Sequence, residues 1–209
     1  MRKKRALPYH SRESSRYRRV SQRRKQRRGI LICCEGSMET EYFHSFRTAQ
    51  VKHINKSTSG LVEEVVEERQ RLEGQIGARF DEVWCVFDID NFTEENTEEA
   101  FVLAKKHGIH IAYSKRSFEV WIILHFTASC GPTHSNKEYT RKLDKIFQEE
   151  FGRPYDKASD TLYDDLLPRQ SVAIENAKRL FASHSKEDPF HNDPCTTVHL
   201  LVATLMKNK

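Results

Sequence analysis

GILICCEGSMETEYFHSF, residues 29–46, sets a strand, a carboxylate, a turn and a helix in immediate succession, and that order decides the fold. Ile30 to Cys34 is a continuous apolar run with β-branched residues, bounded by a basic tail and by Glu35-Gly36. Such a run suits a short strand buried on both faces. Gly36 permits a tight turn. From about Met38 the apolar residues Tyr42, Phe43 and Phe46 recur at helical spacing.

The same alternation continues along the chain. VKHIN, residues 51–55, is β-like and leads through the turn-rich KSTSG into LVEEVVEERQRL, whose apolar positions 61, 62, 65, 66 and 72 mark an amphipathic helix. VWCVFDIDNF, residues 83–92, is a second buried run. The helix predicted over 93–108 has Thr93 or Asn91 near its cap, acids in its first turns, lysines near its end and Gly108 as its stop. IHIAYS, residues 109–114, is the next strand. Strands alternating with helices predict a parallel sheet with right-handed crossovers. From about residue 136 the patterning is helical, in NKEYTRKLDKIFQEEFG, DTLYDDLLPRQSVAIENAKRLFASH and TTVHLLVATLMKN, with Pro168 breaking the second. The expected organisation is a basic arm over 1–28, an α/β core over 29–135 and a helical extension over 136–209 that packs on the core.

A chain of 209 residues holds one α/β core with additions, and hardly two full domains. No apolar run approaches the roughly 20 residues of a membrane helix. The N-terminal charges are followed by no apolar region, so neither a signal peptide nor a membrane association is expected, and the predicted location is the cytosol. Cys33, Cys34, Cys85, Cys130 and Cys195 show no paired spacing and read as reduced, mostly buried thiols. His184 and His191 with Cys195 fit no standard zinc spacing.

Charge is divided unevenly. Residues 1–28 carry 13 Lys and Arg against one acid, net +12, out of chain totals of 35 basic and 30 acidic residues; the rest is therefore net −7. An arm so poor in large apolar residues is expected to be disordered when free. Its arginines and lysines, among them Arg18, Arg19, Arg23, Arg24, Lys25, Arg27 and Arg28, with Tyr9 and Tyr17 between, suit salt-sensitive binding of RNA or DNA by phosphate neutralisation and base stacking. The alternatives are an acidic protein partner or the protein's own acidic core.

Asp88 and Asp90 end the second buried run on one face of a strand, where two anions repel unless a cation sits between them. The plainer alternative is that one caps a helix and the other is solvated. Functional groups collect at the carboxyl ends of parallel strands. Glu35, Asp88 and Asp90 can therefore converge as a hard oxygen site suited to Mg²⁺ or Mn²⁺, which would orient a phosphate and acidify a water. No GxxxxGK[ST] motif is present, which excludes a P-loop ATPase. A phosphatase using Asp88-x-Asp90 remains as an alternative. Lys115 and Arg116 follow a strand end and are candidates for binding the scissile phosphate or stabilising the transition state, Lys115 as a catalytic residue, against the reading of solvated loop charge. Glu119 opens an apolar helix and either reaches the metal site or only serves the helix start. His125 reads as a core or capping histidine.

Glu35-Gly36-x-x-Glu39 after the first buried strand, with Asp88-x-Asp90 after a later one, resembles the Toprim domain of primases, topoisomerases and OLD-type nucleases. CEGSMETEYF, FDIDNF, SKRSFEVWIILHF and DPCTTVHLLVATL, in that order, are more specifically similar to the RloB-like proteins. The resemblance spans about residues 29–206 and implies a Toprim-like (Rossmann-like) parallel sheet flanked by helices, with C-terminal helical additions. It also implies Mg²⁺- or Mn²⁺-dependent endonuclease chemistry on RNA, such as tRNA, or on DNA. Glu35 would be the general acid/base glutamate, also able to touch metal. Asp88 and Asp90 would hold Mg²⁺, and Glu39 would be a second metal-side glutamate or an ordinary first-turn acid. An anti-phage, abortive-infection role beside an ABC-type ATPase partner is implied in the same way. The second hypothesis is a catalytically weak nucleic-acid-binding adaptor. Two departures from the family pattern stand out: Met38 where relatives often carry Thr, and Lys115-Arg116 where they tend towards Asn-Pro.

Overall fold

The computed structural model describes residues 28–56, 59–89, 93–131, 135–184 and 188–209. The arm residues Arg18, Arg19, Arg23, Arg24, Lys25 and Arg27, together with Asp90, lie outside the described residues.

Four strands, β1 (Ile30–Cys34), β2 (Gln50–His53), β3 (Glu82–Ile89) and β4 (His110–Lys115), form an all-parallel sheet in the order β2-β1-β3-β4. Central β1 is buried along its length, as its unbroken apolar run requires. Alternation sends Ile30, Ile32, Cys34, Trp84 and Val86 to one core, and Leu31, Cys33, Cys85, Phe87 and Ile89 to the other. The first face is covered by α1 (Ser37–His44), through Tyr42 and Phe43, and by the short α4 (Glu119–Ile123). The second is covered by α2 (Ser59–Ile76) and α3 (Glu94–His107). Each fully buried large side chain, such as Phe43 or Trp121, contributes roughly 1.5–3 kcal/mol.

This is an α/β fold with a doubly wound, all-parallel sheet, compatible with a Rossmann-like or Toprim-like arrangement. From β1 the chain runs through α1 outward to β2, then returns through α2 to β3 on the other side of β1. The winding direction reverses between β1 and β3, and such a reversal opens a crevice at the carboxyl ends of the two strands.

Local signals explain the helix boundaries. Thr93 Oγ1 accepts the Asn96 N–H at 3.2 Å at the start of α3, and Gly108 ends it in the left-handed conformation, φ 64°. The helix that Glu119 opens is shorter than its apolar run predicts and stops at Ile123. Beyond it, α5 (Asn136–Phe151), α6 (Leu162–Leu166), α7 (Gln170–Ala182) and α8 (Val198–Lys207) add to the core on the α1 face. Pro168 lies in a 3₁₀ turn, Leu167–Arg169, that separates α6 from α7. The stretch before α8 runs beside β4: Ser114 and Thr196 form an antiparallel bridge, and the Thr197 N–H donates to the Tyr113 carbonyl at 2.8 Å.

At the amino end of β1, Arg28 is clamped by Asn208. The Arg28 N–H donates to Asn208 Oδ1 at 2.9 Å, and Asn208 Nδ2 donates to the carbonyls of Arg28 and Thr48, both at 3.1 Å. All five cysteines are buried and none is in a disulfide, and burial pushes the Cys33 thiol up to about 12. Among the described residues no helix is long and apolar enough to cross a membrane.

Candidate active site

Glu35 is the first residue past β1. Its N–H continues the ladder to the Val86 carbonyl at 3.0 Å, and its own carbonyl lies 2.9 Å from His53 Nε2 at the end of β2. The next residue, Gly36, is extended at φ −95°, ψ 150°, a conformation open to any residue. Its glycine serves space. A Cβ there would lie 1.9 Å from Glu39 Oε2 and 2.6 Å from Glu39 Cδ. Glu39, in the first turn of α1, folds back over this bare backbone and is only 6% exposed, with its own backbone N–H bonded to the carboxylate. The positive end of the helix dipole also favours a carboxylate there.

Asp88 projects from β3 on the same face as Trp84 and Val86, and its Oδ2 accepts the Phe118 N–H at 3.2 Å. One residue on, Glu119 is 0% exposed. Neither of its carboxylate oxygens accepts a hydrogen bond among the described residues, and its counter-charge is the ammonium of Lys157, which forms an ion pair with Oε1. Lys157 comes from the connection between α5 and α6 and is itself half exposed.

These four carboxylates act on one another. Burial, then the neighbouring Glu39 charge, pushes Glu35 up to about 7, against a lowering bond from the Asp88 N–H. Burial raises Glu39 as well; its own N–H opposes this, Glu119 adds to it, and the Lys157 ammonium and the neighbouring His53 draw it back. Asp88 is held well above the usual carboxylate range, first by burial and then by Glu39 and Glu119. A buried cluster of mutually repelling anions is stabilised by uptake of protons or of cations.

The donor set is all carboxylate oxygen, which in chemistry suits Mg²⁺ or Mn²⁺, and Glu119 Oε2, which accepts no hydrogen bond among the described residues, is a ready acceptor for such an ion. Among the described residues, however, no group of three or more His, Cys, Asp or Glu is arranged to hold a metal ion.

Of the residues expected at the site, Glu35, Glu39, Asp88 and Glu119 come together. Lys115 and Arg116 do not join them, and for Lys115 the reason is strand parity. Lys115 pairs with Ile89, on the opposite face of the sheet from Asp88, and its ammonium lies 4.3 Å from the centre of the Phe190 ring. Arg116, at φ 71°, directs its Nε to Asp193 Oδ2 at 2.5 Å. Arg28 bonds Glu82 at 2.6 Å, at the other end of β1 and β3. His125 is a core residue: its Nδ1 lies 3.0 Å from the Trp121 carbonyl, and burial lowers its pKa to about 4. His184 meets the Pro194 carbonyl and His191 meets Asp188, while Cys195 is buried beside the Tyr113 hydroxyl, so the three do not form a zinc site.

Two residues of the site went unsingled in the sequence. His53 ends β2, and the strand-end rule that selects Glu35 and Asp88 selects it too. Lys157 carries no comparable signal, because only the tertiary fold brings the α5–α6 connection to Glu119.

A family model described as RloB-like protein matches residues 30–205. No curated protein and no solved structure matches the chain.

Proposed function

From its membership of the RloB-like protein family, and from the four carboxylates buried at the β1/β3 crevice, we propose that the chain is a metal-dependent nuclease that hydrolyses phosphodiester bonds of RNA, such as tRNA, or of DNA. The observation that carries this reading is the convergence of Glu35, Glu39, Asp88 and Glu119 from β1, α1, β3 and α4, with Lys157 as the cation in contact. Unneutralised, the cluster is costly. Asp88 and Glu39 are the residues that would hold Mg²⁺ or Mn²⁺, with Asp90, which follows β3 at once, and Glu119 contributing oxygens. When bound, such an ion would neutralise phosphate charge and acidify a water. Glu35, raised to about 7, exchanges a proton near neutral pH and serves as the general acid/base. The arm over 1–28 supplies sequence-independent affinity for the polynucleotide. A cytosolic role in defence against phage, with an ABC-type ATPase as partner, belongs to this proposal and is supported by the family resemblance alone.

A second reading, the nucleic-acid-binding adaptor, is favoured by the lack of a formed metal cage among the described residues. Both are tested by incubating the full chain with labelled single-stranded RNA, tRNA and duplex DNA in Mg²⁺, Mn²⁺ or EDTA, beside Asp88→Ala and Glu35→Ala. The nuclease reading expects cleavage that chelator and either substitution abolish. Binding without cleavage under every metal supports the adaptor. Hydrolysis of small phosphomonoesters with polynucleotides left intact would instead support the phosphatase alternative.

A further inference from the structure

Beside the carboxylates lies a cleft of about 410 Å³ between α1 and the segment 157–163. That volume falls within the range of roughly 300–1,000 Å³ typical of small-ligand sites. The cleft and the carboxylate cluster share their walls. Met38, which lines the cleft, sits directly before Glu39, and Lys157, which also lines it, holds Glu119. A molecule seated in the cleft is thus next to the reacting centre.

The lining combines apolar residues with carboxylates. Met38, Tyr42 and Tyr163 give an apolar wall. The tyrosine hydroxyls are already engaged, Tyr42 by Trp121 and Gln170 and Tyr163 by Lys209. Glu41 and Asp160 supply carboxylate acceptors at the rim. The apolar lining suits an unsaturated ring, and the carboxylates favour one that carries N–H donors. The half-exposed ammonium of Lys157 has three donors, so it can hold Glu119 and still offer a proton to a phosphate oxygen at the cleft mouth.

We propose that this cleft is a base-binding subsite for single-stranded nucleic acid. It takes the nucleobase next to the scissile phosphate, with Lys157 on the phosphate and Asp160 or Glu41 accepting the exocyclic amino group of cytosine or adenine. The inference rests on the nuclease reading and adds a specificity to it. Cytosine and uracil differ here in a way the cleft can sense: cytosine presents an N4 amino donor where uracil, like thymine, presents an O4 acceptor. An acceptor facing carboxylates is repelled.

The test is fluorescence anisotropy of the full chain with labelled C12 and U12 RNA in EDTA, at roughly 0.3 M salt to weaken the arm's electrostatic contribution. The two oligomers carry equal charge, so the arm cancels from their ratio. C12 is expected to bind about tenfold more tightly than U12. Ala158→Trp, which fills the cleft from an exposed lining position, is expected to remove that ratio, and Asp160→Asn, which can donate to O4, to narrow it. Equal binding of C12 and U12 by the wild type, or a ratio unchanged in Ala158→Trp, overturns the subsite. If RNA is still cleaved in Mg²⁺ with no such ratio, the subsite falls and the nuclease reading stands. If neither RNA nor DNA is bound or cleaved, both fall.

Discussion

Gly36→Ala isolates the contact that shapes the site. The backbone at Gly36 is extended, so alanine introduces no backbone strain, and the only new atom is a Cβ placed 1.9 Å from Glu39 Oε2, 2.6 Å from Cδ and 2.8 Å from Oε1. To restore an ordinary contact of 3.4 Å the carboxylate must withdraw by about 1.5 Å. Glu39 is flexible, but it is buried beside Glu119 and Asp88, and withdrawal costs it the bond to its own N–H. Overpacking of this kind costs about 1–3 kcal/mol. For a chain of this size each kcal/mol lowers Tm by about 2–4 °C, so a fall of about 2–12 °C is expected. Thermal denaturation of the wild type, Gly36→Ala, Glu39→Ala and the double variant closes a cycle whose coupling should equal most of the single-variant loss. The reasoning is refuted if Gly36→Ala melts with or above the wild type, or if its loss persists undiminished in the Glu39→Ala background.

Two further outcomes follow from the same cluster. Glu35 is raised in the folded state, so the stability it contributes is fully present below about pH 4.5 and is lost as pH rises through about 7. Melting in EDTA should therefore fall between pH 6 and pH 8, and the fall should be smaller in Glu35→Gln; equal slopes would count against the burial of Glu35. Lys157→Met leaves Glu119 buried without its counter-charge, and a loss of about 1–3 kcal/mol is expected, below the usual cost of breaking a buried pair because Lys157 is half exposed. Urea denaturation should show most of that loss recovered in Lys157→Met/Glu119→Gln, and no recovery would mean that Lys157 stabilises through something other than Glu119.

The sheet was legible because its strands are buried on both faces and read as unbroken apolar runs, and Glu35 and Asp88 were legible because they end those runs. Glu119 was half legible: its place at a helix start shows in the sequence, whereas the direction of its carboxylate depends on the Phe118 N–H docking on Asp88. Lys115 shows what adjacency leaves out. It follows the strand end as Asp88 does, but the register of β4 against β3 puts it beside Ile89 and so on the other face. Lys157 was invisible for a different reason, since a lysine in a polar connection looks alike whether it meets water or a buried glutamate.

The clamp between Asn208 and Arg28 fixes where the basic arm leaves the body. That point is the amino end of β1, whereas the carboxylates gather at its carboxyl end. Seven residue steps of extended chain lead from Arg28 to Glu35, about 23 Å at roughly 3.3 Å per step. The rise of about seven base pairs, at 3.4 Å each, covers the same distance. On the nuclease proposal, a polynucleotide held both at Arg28 and at the carboxylates spans at least this length.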